Sequence, residues 1–150
     1  MAQSLANVLL HIVFSTKHRQ PWIDTDIEQD LFKYIGGTCN GVGCQSHGVG
    51  GADDHIHIAC SLSRTLTISK LVEEIKVGSS KWIKTLGDRF ADFSWQNGYG
   101  AFSIGQSQLD DLRRYIKSQR EHHCKQTFQD EFRTLLQRYE VTFDERYVWD

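Results

Sequence analysis

A chain of 150 residues that is 39% hydrophobic and carries 8 Phe, 5 Tyr and 4 Trp can bury a sizeable core unaided, which excludes a disordered segment or a disulfide-dependent scaffold. A formal net charge of -2 excludes a protein that coats nucleic acid through uniform basicity. Four cysteines with no Cys-x-x-Cys pair, no run near the roughly 20 apolar residues of a membrane span and no signal-peptide pattern lead us to expect one cytoplasmic domain over residues 1–150, with reduced thiols and no membrane partner.

Residues 6–16 are apolar and β-branched enough for a central strand buried on much of both faces, with His11 as a core histidine that needs a hydrogen-bond partner. Lys17 to Pro21 breaks it. Thr25-x-x-Glu28 has capping-box form, Ile27, Leu31, Tyr34 and Ile35 follow at helical spacing, and Gly36-Gly37 is expected to end that helix. The glycine-rich run 36–51 predicts turns, with at most one short strand around 44–47, and a hairpin connection over 48–54. Cys39, Cys44 and His47 lack the fourth ligand of a zinc site.

Asp53-Asp54-His55-Ile56-His57-Ile58 then opens a strand. Alternation puts His55, His57, Ala59 and Ser61 on one face and Ile56, Ile58, Cys60 and Leu62 on the other, so a core face backs two imidazoles. Thr67 caps a long helix whose Ile68, Leu71, Val72, Ile75, Ser79, Trp82, Ile83 and Leu86 follow the helical apolar spacing, with Lys70, Lys81 and Lys84 on its outer side. Gln96-Asn97-Gly98 is a turn into a strand over 99–104. Ser107-x-x-Asp110 caps a helix running to about Lys125, and a last helix from near Thr127 packs Phe128, Phe132, Leu135, Leu136 and Tyr139. The tail 143–149 keeps Tyr147 and Trp149 and is expected to dock on a surface. This order is the split βαβ pattern: an α+β fold, an antiparallel sheet with helices packed mainly on one face.

Two imidazoles spaced i, i+2 on a strand can each place a nitrogen on one metal ion if a third ligand arrives from elsewhere. Helical spacing sets Tyr115, Gln119 and His122 on one stripe. A phenol one turn from an amide oxygen offers a nucleophile for phosphorus and an oxygen ligand that ties its helix to the metal. Two neutral imidazoles and one amide oxygen leave about half of an octahedral shell open, compatible with Mg²⁺ or Mn²⁺. A phosphotyrosine would preserve the energy of the phosphodiester, which suits strand breaking and rejoining.

His55-Ile56-His57 on a strand, followed by Tyr115-x-x-x-Gln119 on a later helix, resembles the single-tyrosine HUH transposases of small bacterial insertion sequences and their REP-associated relatives. The similarity extends over Phe14-Ser15-Thr16-Lys17, Ser79-Ser80-Lys81-Trp82, Trp95-Gln96-Asn97-Gly98-Tyr99 and Arg114-Tyr115-Ile116. It implies a ferredoxin-like or RRM-like sheet that acts on single-stranded DNA with hairpins, with His55, His57 and Gln119 as metal ligands and Tyr115 as the nucleophile that takes a 5′-phosphate and releases a 3′-hydroxyl. It further implies a homodimer in which the tyrosine helix of one subunit completes the histidine site of the other. His122 and His123 receive no role from it.

Arg113, Arg114, Lys117 and Arg120 flank the tyrosine and are the candidate phosphate contacts, with Lys81 and Lys84 as further ones. Plainer readings exist for each residue taken singly: surface or structural histidines, a packed tyrosine, a solvated glutamine, and solvated lysines on the long helix. Trp95 and Tyr99 could stack bases, or pack in the core. Two alternatives follow from the same motifs. One is a catalytically silent nucleic-acid-binding module; the other is a metal-dependent hydrolase in which water attacks and Tyr115 only packs.

Overall fold

The computed structural model describes residues 2–150. Four strands, β1 (Leu9–Ser15), β2 (Ser46–Ala52), β3 (His55–Ser61) and β4 (Gly100–Ile104), form one antiparallel sheet in the order β2-β3-β1-β4. The helices α1 (Glu28–Gly41) and α2 (Ile68–Lys84) connect β1 to β2 and β3 to β4. Each connection skips one strand position, giving two interleaved split βαβ units as expected.

β1 is buried along its whole length. Leu10, Ile12 and Phe14 join Ile56, Ile58 and Cys60 of β3 in the main core, roofed by Leu31, Ile35, Leu71, Val72 and Ile75 of α1 and α2. The free thiols of Cys39, Cys44 and Cys60 lie in this core, and Cys124 is exposed. Trp95 also belongs to it, its ring edge-on to Phe14 at 5.0 Å and its Nε1 donating to Ser79 Oγ at 2.9 Å.

Three shorter helices cover the opposite face: α3 (Leu109–Lys117), α4 (Gln119–His123) and α5 (Phe128–Arg138). They make two separate apolar patches. Leu9 and Ala59 pack with Leu109 and Ile116 of α3, while Val13 and Phe102 pack with Phe128, Phe132, Leu135 and Leu136 of α5. The polar residues His11, His55, His57, Gln119 and Glu131 are all buried on this face, in the seam beside these patches.

Several elements differ from the sequence expectation. The first cap is made by Asp24, whose Oδ1 accepts from the N–H groups of Asp26 and Ile27, rather than by Thr25. α1 runs through Gly36-Gly37 and stops where Gly43 adopts φ +80°. There Cys44 N–H donates to Cys39 O and Gly43 N–H to Asn40 O, a Schellman ending. The glycine run that follows is a full seven-residue strand, and only Asp53-Asp54 turns between β2 and β3. The expected helix from Ser107 to Lys125 is broken at Ser118, whose hydroxyl donates back to the carbonyls of Arg114 and Tyr115. The tail docks on its own chain: Trp149 packs beside Phe128 and Phe132, with Arg133 over its ring at 4.9 Å.

At Gly50, β2 lies directly against α3. A Cβ on Gly50 would stand 2.5 Å from Ile116 O and 2.7 Å from Ile116 Cγ2, so a side chain there must push α3 off the sheet. Gly50→Ala is therefore expected to destabilise the fold by about 1–3 kcal/mol. Because Tyr115 precedes Ile116, the same change should also shift the Tyr115 ring; an unchanged melting temperature together with unchanged Tyr115 NMR signals would contradict this close approach.

Candidate active site

Antiparallel pairing places His55 opposite Ser15 and His57 opposite Val13, so both imidazoles rise from β3 toward α3, α4 and α5. Both rings are fully buried. Each is oriented by a partner at Nδ1: Asp54 Oδ1 at 2.8 Å for His55, and His11 Nε2 at 2.7 Å for His57. Their Nε2 atoms are thereby aimed into the seam. His55 Nε2 lies 2.8 Å from Gln119 Oε1, and His57 Nε2 lies 2.9 Å from Glu131 Oε1.

Gln119 enters from α4, the short helix after the break at Ser118. Its neighbour Arg120 anchors that helix, donating to Glu28 Oε2 and Asp53 Oδ1, each at 2.6 Å, and to Ile23 O at 3.0 Å. Tyr115, one turn earlier on α3, donates its hydroxyl to Glu131 Oε2, which also accepts from Gln119 Nε2 at 3.2 Å. The phenol ring lies edge-on to His57, with centroids 5.6 Å apart, and beside His122 at 5.0 Å. His55, His57, Gln119 and Tyr115 thus meet within a single chain.

Glu131 is the residue the sequence reading did not pick out. It is buried, reaches the cluster from α5, and also lies 3.7 Å from His55 Nε2 and 3.8 Å from His123 Nε2. The last distance is too long for a hydrogen bond and is an ion pair only when the ring is protonated, and His123 Nε2 is a buried nitrogen with no hydrogen-bond partner among the described residues. A signal was present: Phe128, Glu131, Phe132, Leu135 and Leu136 follow i, i+3, i+4, i+7, i+8, which puts a carboxylate on the apolar stripe of its helix.

Burial opposes charge on Glu131, yet His123, His57 and Tyr115 together hold its carboxyl far below the usual range. Burial pushes His57 down, although Glu131 partly restores it, and pushes His11 well down with His57 adding. The Tyr115 phenol is raised, first by burial and then by Glu131. These shifts fix the sign of the acid response. The unfolded chain takes up protons on its histidines near pH 6.5 that His11 and His57 refuse when folded, and it protonates the Glu131 carboxyl near 4.5 while the folded form stays ionised. The metal-free protein is therefore expected to lose stability as pH falls below about 6.5, more steeply below about 4.5. Thermal melts between pH 7 and 4 check this, and a melting temperature that holds or rises toward pH 5 would refute it.

The donor set suits a divalent cation. His55 Nε2, His57 Nε2 and Glu131 Oε1 lie within 4.8 Å of one another, and Gln119 Oε1 stands beside them. Two imidazoles already turned by hydrogen bonds at Nδ1, an amide oxygen and a carboxylate match the nitrogen and oxygen ligands such ions take.

The basic residues divide between two places. Arg113, Arg114 and Lys117 border a shallow groove on the outer side of α3 with Asp110, and Arg114 pairs with Asp111. Lys81 and Lys84 line a different groove along α2 with Lys76, Asn97 and Tyr99, away from the histidine cluster. Lys76 donates to the carbonyls of Gln96, Asn97 and Gly98, while burial pulls its amine down to about 8. Arg120 is engaged within the chain, as described above.

Sheet and cluster together define an α+β protein built around a buried centre of histidine, glutamine, glutamate and tyrosine. The chain belongs to the IS200-like transposases, a family of DNA-processing enzymes whose pattern matches residues 4–119. Two solved structures share its fold at 14% sequence identity. One, a Deinococcus radiodurans R1 protein described as a transposase, has a TM-score of 0.62 and covers 79% of this chain and 98% of its own. The other, a REP-associated tyrosine transposase bound to a REP hairpin, has a TM-score of 0.55 and covers 83% of this chain and 74% of its own. No curated protein matches. Among the described residues no helix is long and apolar enough to cross a membrane.

Proposed function

We propose that residues 1–150 act as one domain that cleaves and rejoins single-stranded DNA through Tyr115, with His55, His57, Gln119 and Glu131 holding Mg²⁺ or Mn²⁺. The observation that carries this reading is the convergence of the Tyr115 hydroxyl and these donors in one buried seam. Attack by Tyr115 Oη on phosphorus forms the phosphotyrosine bond and breaks the P–O3′ bond, leaving a 3′-hydroxyl. Glu131 Oε2, already bonded to the phenol, is placed to accept its proton as the bond to phosphorus forms. A divalent ion bound here would withdraw charge from the phosphate. His11 and Asp54 keep the ligand imidazoles in register. The reverse attack by a 3′-hydroxyl rejoins the strand without an external energy source.

Hairpin-bearing single strands are the proposed substrate class, supported by family membership and by the hairpin in the REP-associated relative. Arg113, Arg114 and Lys117 beside the Tyr115 helix are the proposed phosphate contacts, with Lys81 and Lys84 a second set. A homodimer that exchanges tyrosine helices would have to detach α3 and α4 from their own β2 and β3. The intrachain bonds to Gln119 and Tyr115 instead favour a site completed within one chain.

The test incubates the protein with Mn²⁺ or Mg²⁺ and a hairpin-bearing oligonucleotide and looks for a covalent protein–DNA adduct. Cleavage without an adduct would favour the hydrolase, and binding without cleavage the silent module. Mixing Tyr115→Phe with His57→Ala protein is expected to leave both inactive; recovered adduct would establish exchange of helices between subunits.

A further inference from the structure

Next to the Tyr115 phenol, a cavity of about 440 Å³ opens between α3, α5 and the end of β4, with His11 of β1 in its wall. Sheet order puts it on the β1/β4 side of Tyr115, whereas the paired histidines stand on β3. Leu112, Leu135 and the ring of Tyr139 give it an apolar wall, and Tyr139 is itself stacked on Phe102 at 4.8 Å. Gln108, Gln126 and Arg138 border it. Gln108 Oε1 is engaged by Gly105 N–H, and among the described residues the Gln126 side chain and the Arg138 guanidinium make no hydrogen bond or ion pair.

We propose that this cavity seats the nucleoside whose 5′-phosphate becomes bonded to Tyr115. The inference rests on the strand-transfer reading above and specifies where that substrate lies. In an in-line displacement the attacking phenol oxygen and the departing 3′ oxygen occupy the axis, and three oxygens lie across it. The two nonbridging oxygens carry the charge and belong toward the cation site on β3. The third is the 5′ oxygen, which leads its nucleoside away from that site, toward β1 and β4. The cavity there is within the size range of small-molecule sites. Its apolar and aromatic wall can take the face of a base, the two amides can pair with its edge, and Arg138 can meet the next phosphate along the strand.

The experiment uses the full chain with Mn²⁺ and a hairpin-bearing strand whose cleavage position has been mapped. Two substrates carry an abasic residue immediately 3′ or immediately 5′ of the scissile phosphate. Loss of a stacked base predicts adduct formation about tenfold slower for the 3′ abasic strand and changed less than about twofold for the 5′ one. Arg138→Ala should slow the intact strand and narrow the difference. Equal rates on both abasic strands, or a larger loss on the 5′ side, would overturn the assignment while the adduct itself leaves strand transfer standing. If no strand gives an adduct, strand transfer fails and the cavity is decided separately. Thymidine 5′-monophosphate titrated into Tyr115→Phe protein should move the Gln108 and Gln126 side-chain amide signals in NMR spectra, and no movement at millimolar nucleotide overturns the assignment.

Discussion

Replacing Tyr115 with phenylalanine is expected to remove covalent adduct formation, by at least about 10³-fold, while leaving the fold and strand binding in place. The substitution deletes one oxygen. The ring keeps its edge-on contact with His57 and its place beside His122, so α3 has no reason to move. Glu131 loses one of several partners and keeps His57 and Gln119. The measurement is adduct yield on a denaturing gel, beside a binding titration with the same oligonucleotide. Retained adduct would mean that another residue attacks, and His122 or His123 would be the next to test. Retained cleavage without adduct would move the protein to the hydrolase class.

Replacing Glu131 with alanine is expected to have the largest effect on stability. A buried carboxylate that accepts from His57, Tyr115 and Gln119 cannot be removed without stranding those groups, and breaking a buried polar cluster on one side costs about 3–5 kcal/mol. For a chain of this size that corresponds to a melting temperature lower by roughly 10 °C. Glu131→Gln keeps the shape and an oxygen for the phenol, so it should cost less than half as much. It removes the charge, however, and Mn²⁺ binding followed by calorimetry should weaken by about 10- to 100-fold. An alanine variant that melts within about 2 °C of the parent would show that the seam does not depend on this residue.

The central part of the fold was legible because its signals are local. The uninterrupted apolar run of β1, the alternation of β3 and the Thr67 cap each follow from side chains close in sequence, and the structure reproduces all three. β2 was not legible: Gly50 answers to the backbone of α3, more than sixty residues away, and Gly51 to the backbone of His55 across the turn, and hydrophobic patterning cannot register a strand chosen for its lack of side chains. The break at Ser118 was equally hidden, since i, i+4 spacing is satisfied whether or not a hydroxyl competes for the carbonyls. At the site, spacing and resemblance single out Tyr115, Gln119 and the histidine pair, and the structure brings these four side chains together. Glu131 belongs to no motif in the sequence, although its position between Phe128 and Phe132 marks it as inward. His11 was read as a core histidine needing a partner, and that partner is His57.

The two-residue turn Asp53-Asp54 serves as a common datum for parts that arrive from distant stretches of chain. Asp54 sets the orientation of His55, while Asp53 receives Arg120, the residue next to Gln119. The carbonyls of the same two residues receive the N–H groups of Ile23 and Thr16. Positional error between a strand ligand and a helix ligand usually accumulates along every element that separates them. Here both are referenced to one short turn, so a displacement of that turn carries His55 and Gln119 together and their 2.8 Å separation tolerates it.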